Sequence, residues 1–196
     1  CFIYYHTLSS QLFNDLDSNN FKYFLKKKRK MIFFKLFVNV CICPSELSRK
    51  DIIKTFLVNH KKTKVILNAI EDRKSKERNL LKRKKFYKIS YLGRLDPSKN
   101  VKLLLTSFIE FKEKNPTSIL SLSVAGSGQD SKEIKRVCNK YEYLNFEGAL
   151  SYNKVDSFLS NTDYTIIPSI SDNLPTVGIE SLMNGTPILI SVDTGL

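Results

Sequence analysis

The chain has 196 residues, 42% of them hydrophobic and 11% aromatic, enough apolar surface for one large core or two smaller ones, which excludes a disordered tail. Its formal net charge of +13 suggests a polyanionic partner until the charge is located. Residues 22–35 carry seven Lys or Arg and no acid, and residues 71–88 carry nine basic and three acidic residues; everything outside these two stretches is balanced, which argues against nucleic acid.

Along the chain, CFIYYH (1–6) reads as a strand, followed by a basic helix over 22–36, a strand VNVCIC (38–43), a helix ELSRKDIIKTFL (46–57) and a strand KVILN (64–68). The longest apolar run, Met31 to Cys43, is 13 residues with Lys35 and Asn39 inside it, short of the roughly 20 that a membrane-spanning helix needs. Cys1, Cys41, Cys43 and Cys138 show no C-x-x-C spacing and no histidine cluster, so they read as buried thiols of a reducing cytoplasm rather than a zinc site or disulfide scaffold. The segment 71–86 is charged and without strand pattern, and reads as a linker. It divides the chain into 1–70, the later part of one α/β domain, and 87–196, a second one.

From Tyr87 onward short apolar runs alternate with amphipathic stretches. The strands are KISYLG (88–93), ILSLSVAG (119–126), LNFEG (144–148), YTIIPS (164–169) and PILIS (187–191). Between them lie a helix over 101–111 with Val101, Leu104, Leu105 and Phe108 at helical spacing, another near 131–141, a third over 152–160 and a fourth starting near Pro175. Five strands separated by four helices predict a doubly wound parallel sheet. Both ends read as cut: the chain begins at Cys1 and stops at SVDTGL just after an apolar strand.

In a doubly wound sheet ligands bind beyond the carboxyl ends of the strands. The residues there are Arg94 and Lys99, then Gly126 and Gly128, then Glu147 and Gly148, then Ser169 to Thr176. Arg94 and Lys99 are suited to a diphosphate, the AGSG turn lets a ligand approach backbone, and a helix starting near Pro175 aims N–H groups at an anion.

The stretches YLGRLDPSKNVKLLLTSF, SVAGSGQDSKEI, LNFEGAL and DYTIIPSISDNLPTVGIESLMNGTPILIS, with the final DTG, resemble the C-terminal half of retaining GT-B glycosyltransferases of family 4, the glycosyl transferases group 1. More loosely, CICPSELSRKDI and VILNAIED resemble the end of that family's N-terminal domain, and YYHT its loop with an active-site histidine. The resemblance implies two Rossmann-like domains, the first on the acceptor side and the second binding the nucleotide sugar. It assigns the donor diphosphate to Arg94, Lys99, Leu174, Pro175 and Thr176, the donor nucleoside and sugar to Gly126, Gly128, Glu147 and Glu180, and catalysis to Asp172 and His6. Where the family usually has Glu, this chain has Asp172, one methylene shorter.

The resemblance implies no cofactor and no metal, a UDP- or GDP-sugar donor, a glycan or lipid-linked acceptor in surface polysaccharide or glycolipid synthesis, and a cytoplasmic place, peripheral on the inner face of the membrane. No nucleic acid is expected. Each residue also has an ordinary role: Arg94 as a strand-end charge, the glycines as turn formers, Glu180 as a solvated helix acid, Asp172 as a helix cap, His6 as a structural histidine. The stretch 21–37 reads either as a helix lying on an anionic membrane or as one facing the first domain's core. Two rivals remain: a nucleotide-sugar epimerase of similar architecture, and a basic module binding membrane or nucleic acid without catalysis.

Overall fold

Strands β1 (Phe2–Tyr4), β2 (Val40–Cys43) and β3 (Thr63–Val65) pair in that order, all parallel. Parallel neighbours cannot be joined by a hairpin; helix α2 (Glu46–Phe56) makes the crossover from β2 to β3, and helix α1 (Phe21–Phe37) precedes β2. The computed structural model describes residues 1–5, 8–9, 21–70, 87–192 and 194–196. His6, the charged stretch 71–86 and Asp193 lie outside them.

The described chain divides into two units: Cys1–Ala69 with Ser171–Leu174 and Thr194–Leu196, and Ile70–Ile170 with Pro175–Asp193. In the first, Tyr5, Phe34, Val38, Cys41, Cys43, Ile52, Phe56 and Val58 form the core. The Tyr5 ring meets Phe34 and Phe56 edge-on, at centroid distances of 6.3 and 6.2 Å. Burial raises the Tyr5 phenol above its ordinary range, and hydrogen bonding with Cys43, then burial, raises the Cys41 thiol above its own. Helix α2 starts in a capping box, with Ser45 Oγ accepting from the Ser48 amide and Ser48 Oγ accepting from the Ser45 amide. Midway along it Asp51 accepts from the Tyr5 hydroxyl (3.0 Å) and the Ser9 amide (2.7 Å).

The second unit contains β4 (Tyr87–Leu92), α3 (Val101–Lys114), β5 (Leu120–Ala125), α4 (Ser131–Cys138), β6 (Leu144–Gly148), α5 (Tyr152–Ser160), β7 (Tyr164–Ile167), α6 (Thr176–Met183) and β8 (Ile188–Ile190). Its sheet runs β6-β5-β4-β7-β8 and is parallel throughout. The chain winds outward from β4 to β6, then crosses back to β7 on the other flank of β4. That reversal makes β4 and β7 the switch point, where loops diverge to open a crevice. Strand β7 ends two residues sooner than the sequence suggests, because Pro168 has no amide to give the ladder.

Tyr91, Leu95, Val101, Leu104, Leu105, Phe108, Leu122, Val124 and Ile134 fill the core beneath α3 and α4. Ala125, Phe158 and Leu159 form a smaller cluster with α5. Helix α6 is seated differently: its buried residues are Gly178 and Ser181. Ser181 Oγ lies 2.7 Å from Thr165 Oγ1 on β7 and 3.1 Å from the Thr186 carbonyl, while Thr186 Oγ1 donates to Leu159 O. A small helix face and satisfied hydroxyls replace bulky packing here. The fold is α/β with two parallel sheets, as expected.

Candidate functional site

The second unit gathers Arg94, Lys99, Gly126, Gly128 and the start of α6 on loops that leave the carboxyl edge of one sheet. The loop after β4 is held from below and from the side. Tyr91, 3% exposed, donates its hydroxyl to the Arg94 carbonyl at 2.5 Å. Leu95, fully buried in this loop, receives its own place in a ladder: its amide donates to Ser127 O (2.9 Å) and its carbonyl accepts from the Asp130 amide (3.0 Å). Strand-like pairing thus continues beyond β4 and β5 and fixes the two loops against each other.

The glycines make that approach possible. A Cβ at Gly126 would stand 1.8 Å from Gly93 O, and one at Gly128 would stand 2.3 Å from Leu95 O, so no other residue fits without moving backbone. The expectation that this turn admits a ligand to the backbone is joined by a structural reason for the same residues.

Arg94 is largely exposed, and its guanidinium lies 3.2 Å from Asp96 Oδ2. Asp96 also caps the 3-10 turn Pro97–Lys99, accepting from the Ser98 amide at 3.0 Å. One carboxylate therefore aims the arginine and shapes the turn that carries Lys99. Asp96 is a further residue of this loop, and its signal in the sequence is the Asp-Pro-Ser order, which favours an Asx turn. The loop after β7 is tied to this turn, the Ile170 amide donating to Ser98 O at 3.0 Å.

Helix α6 begins after Pro175, which as the N-cap residue makes no side-chain cap hydrogen bond; the Gly178 amide donates to the Pro175 carbonyl at 2.9 Å. The positive end of the helix dipole lies at this terminus, beside the loop that carries Asp172 in the sequence. Glu180 lies one turn further on, half-buried, its carbonyl accepting from the Asn184 amide and side chain. Asn184 also donates to Asp156 Oδ1 at 3.1 Å, joining α6 to α5. Glu147 stands exposed on edge strand β6 and accepts from Asn145 Nδ2 at 2.6 Å.

Asp172 and Leu174 fall in the short segment Ser171–Leu174 that groups with the first unit. There Asp172 bridges to Thr194 in parallel register and its carbonyl accepts from the Gly195 amide at 2.9 Å. Asn173, 4% exposed, accepts from Ser45 Oγ at 3.0 Å, and Leu174 is buried. A Cβ at Gly195 would lie 1.8 Å from Asn173 O. His6 is outside the described residues. Among the described residues no group of three or more His, Cys, Asp or Glu could hold a metal ion.

A parallel sheet wound in this order, with basic and glycine-rich loops at its switch point, has the α/β architecture of the GT-B type. Residues 72–196, well over half of the chain, match the glycosyl transferases group 1 family, and the chain belongs to it. No curated protein matches. Among solved structures the chain is similar to WaaG, a glycosyltransferase involved in lipopolysaccharide biosynthesis, with a TM-score of 0.73 and 13% identity over 99% of this chain and 57% of that one. It is similar to sucrose-phosphate synthase from Thermosynechococcus elongatus (TM-score 0.72, 15% identity, 100% and 51% covered). A third is a TarM variant from S. aureus in complex with UDP and alpha-GlcNAc-glycerol (TM-score 0.65, 16% identity, 95% and 34% covered). At these identities the likeness is one of fold. The chain spans between a third and somewhat over half of the length of these proteins.

Proposed function

We propose that the protein transfers a sugar from a UDP- or GDP-sugar to a glycan or lipid-linked acceptor, with retention at the anomeric carbon. The observation that carries the reading is the switch point of the second sheet, where Arg94, Lys99 and the start of α6 bring positive charge and a helix N-terminus beyond β4 and β7. Family membership supports the sugar transfer, and the UDP bound by a TarM variant supports the donor class.

In this reading Arg94 and Lys99 hold the diphosphate, with the backbone at Leu174, Pro175 and Thr176. Gly126 and Gly128 admit the nucleoside, and Glu147 and Glu180 contact nucleoside and sugar. Asp172 and His6 belong to the sugar being transferred. The bond from the anomeric carbon to the diphosphate oxygen breaks, the acceptor oxygen adds from the same face, and its proton passes to the departing diphosphate. Fixed cations stabilise the charge that develops there without a metal.

Product analysis with the whole protein tests this. UDP- and GDP-sugars are supplied with and without glycan and lipid-linked acceptors, in the presence of a chelator. The expected result is a new glycoside of retained configuration that forms only with an acceptor. A modified nucleotide sugar formed without acceptor would establish an epimerase instead, and loss of activity on chelation would overturn the metal-independent mechanism. In the same assay Glu180→Gln is expected mainly to raise the donor KM, because ground state and transition state share that contact. Asp172→Asn is expected to lower kcat more, through a contact that tightens as the bond breaks.

A further inference from the structure

The first unit takes in two short pieces of later chain, Ser171–Leu174 and Thr194–Leu196, beside its own Cys1–Ala69. They meet at Ser45, the N-cap of α2, which is buried. Its oxygen accepts from the Ser48 amide at 3.2 Å, which leaves the hydroxyl its single proton to give. Asn173 Oδ1 lies 3.0 Å from that oxygen and Ser48 Oγ 3.3 Å away, and the Ser48 hydroxyl is itself committed to the Ser45 carbonyl at 2.8 Å. The nearer acceptor, the buried Asn173, takes the proton. One serine therefore caps a helix and holds a residue 128 positions further along the chain.

The neighbouring residue is pinned as well. Asp172 bridges to Thr194 in parallel register, and its carbonyl accepts from the Gly195 amide at 2.9 Å. Gly195 fits where no larger residue would: a Cβ there would stand 1.8 Å from Asn173 O and 2.6 Å from Ser45 Oγ. Three stretches far apart in sequence thus fix the backbone at 172–173, while Asp172 itself is only half-buried. Aspartate carries its carboxylate on one methylene, so the place of that group is set almost wholly by the backbone that bears it.

We infer that, given the role proposed for Asp172 at the sugar being transferred, the hydrogen bond from Ser45 to Asn173 positions that carboxylate, which makes Ser45 and Asn173 positioning residues of the reaction. The stability of α2 does not ask for this bond, because the reciprocal contacts between Ser45 and Ser48 already cap the helix. Without the Asn173 side chain the Ser45 proton turns to Ser48 Oγ, so that hydroxyl keeps a partner. What is lost is the tie between the start of α2 and the backbone next to Asp172. A shift of about 1 Å in a reacting group can cost roughly a hundredfold in rate, so such a tie matters to turnover out of proportion to its strength.

Steady-state kinetics of the whole protein, with donor varied at fixed acceptor, tests the inference. Asn173→Ala and Ser45→Gly are each expected to lower kcat about tenfold and to leave the donor KM within about twofold, since Arg94 and Lys99 still hold the diphosphate. Glycine serves at an N-cap nearly as well as serine, so α2 stays in place in the second variant. The two changes combined should cost no more than either alone, because both break the same bond. Neither should lower kcat further when added to Asp172→Asn, through which they act. Wild-type kcat in Asn173→Ala and Ser45→Gly, beside a lowered kcat in Asp172→Asn, would overturn the inference and leave the role of Asp172 standing. Losses that add to that of Asp172→Asn would overturn it too. An unaltered kcat in Asp172→Asn would remove the role of Asp172 itself, and the inference with it.

Discussion

Helices α1 and α3 both pack against a parallel sheet, yet they dispose of their apolar residues in opposite ways. In α3, Val101, Leu104, Leu105 and Phe108 form one stripe and all four are buried. In α1, Phe34 is the buried residue of seventeen, while Phe21, Phe24, Ile32, Phe33, Leu36 and Phe37 are exposed. A single stripe needs one partner surface; apolar residues spread around a helix need a second. The charges divide in the same manner. On α3, Lys102 faces Asp130 at 2.9 Å and Glu133 at 2.7 Å, whereas α1 contains no acid at all. One helix buries its apolar stripe and pairs its lysine within its own unit, whereas the other leaves most of its large apolar side chains exposed among the described residues.

The strongest way to break this comparison is to remove apolar side chains from each region. Leu122 is fully buried on β5, beside the central strand, so Leu122→Ala should destabilise the second unit by about 2–5 kcal/mol. Leu36 is 66% exposed on α1, and Leu36→Ser should change stability by no more than about 0.5 kcal/mol. Denaturant titration of both variants measures the contrast. Equal losses would mean that α1 is covered by protein in the folded molecule, and its exposed face would then need a different account.

A second contrast concerns the cations. In the whole protein, Arg94→Ala or Lys99→Ala is expected to weaken donor use ten- to a hundredfold, the loss of one charge-assisted contact at about 1.5–3 kcal/mol. The lysines of α1 should leave turnover of a soluble acceptor unaltered. Steady-state kinetics with varied donor decides between the two groups. If Lys28→Gln lowers donor use as much as Arg94→Ala does, the division of labour between the basic regions is wrong.

Much of the second unit was legible because its strands are short apolar runs of period two and its helices repeat at 3.6 residues, as in Val101, Leu104, Leu105 and Phe108. The positions just after each strand were legible for the same reason. What local pattern could not reveal was the meeting of loops distant in sequence. Gly126 read as a turn that admits a ligand, while the reason a Cβ is excluded there is the Gly93 carbonyl, on a loop that only the sheet brings near. Asp96 was overlooked since its two tasks, aiming Arg94 and capping Pro97–Lys99, require side-chain geometry. The αL leucine at position 57 carried no sequence signal either, as Leu-Val continues the apolar period of α2.

The seat of α6 offers a smaller test of how the candidate site is positioned. Ser181→Ala should cost about 1–3 kcal/mol, because it strips a partner from the buried Thr165 hydroxyl. Ser181→Ala combined with Thr165→Val removes both polar groups and should recover most of that loss. Thermal unfolding of the single and double variants checks the coupling, and the donor KM should follow the same order if this pairing sets the register of the helix that carries Glu180. Additive losses would show that the two hydroxyls act separately, and that α6 is held by shape alone.

The smallest effect is expected at Lys102, where the second unit answers its own charge. Asp130 and Glu133 hold the ammonium, and hydrogen bonding first to Glu133 and then to Asp130 raises its pKa above the ordinary lysine value. A raised pKa in the folded state means that the protonated form is favoured by folding. The stabilisation is therefore fully present at neutral pH, below the unfolded pKa, and is lost as pH climbs through the folded value in the strongly alkaline range. Lys102 and Glu133 are about half exposed while Asp130 is nearly buried, so salt should screen chiefly the contact between Lys102 and Glu133. Lys102→Gln is expected to lower the unfolding midpoint slightly at neutral pH and low salt, with the difference fading at high salt. Charge removal on α1 should do the reverse: Lys28→Gln should leave the midpoint unchanged or raise it, since it relieves repulsion among lysines that no acid of that helix offsets. Opposite signs for the two lysines would sustain the view that one region is electrostatically closed and the other open. A clear loss of stability from Lys28→Gln would mean that α1 has acidic partners in the folded protein.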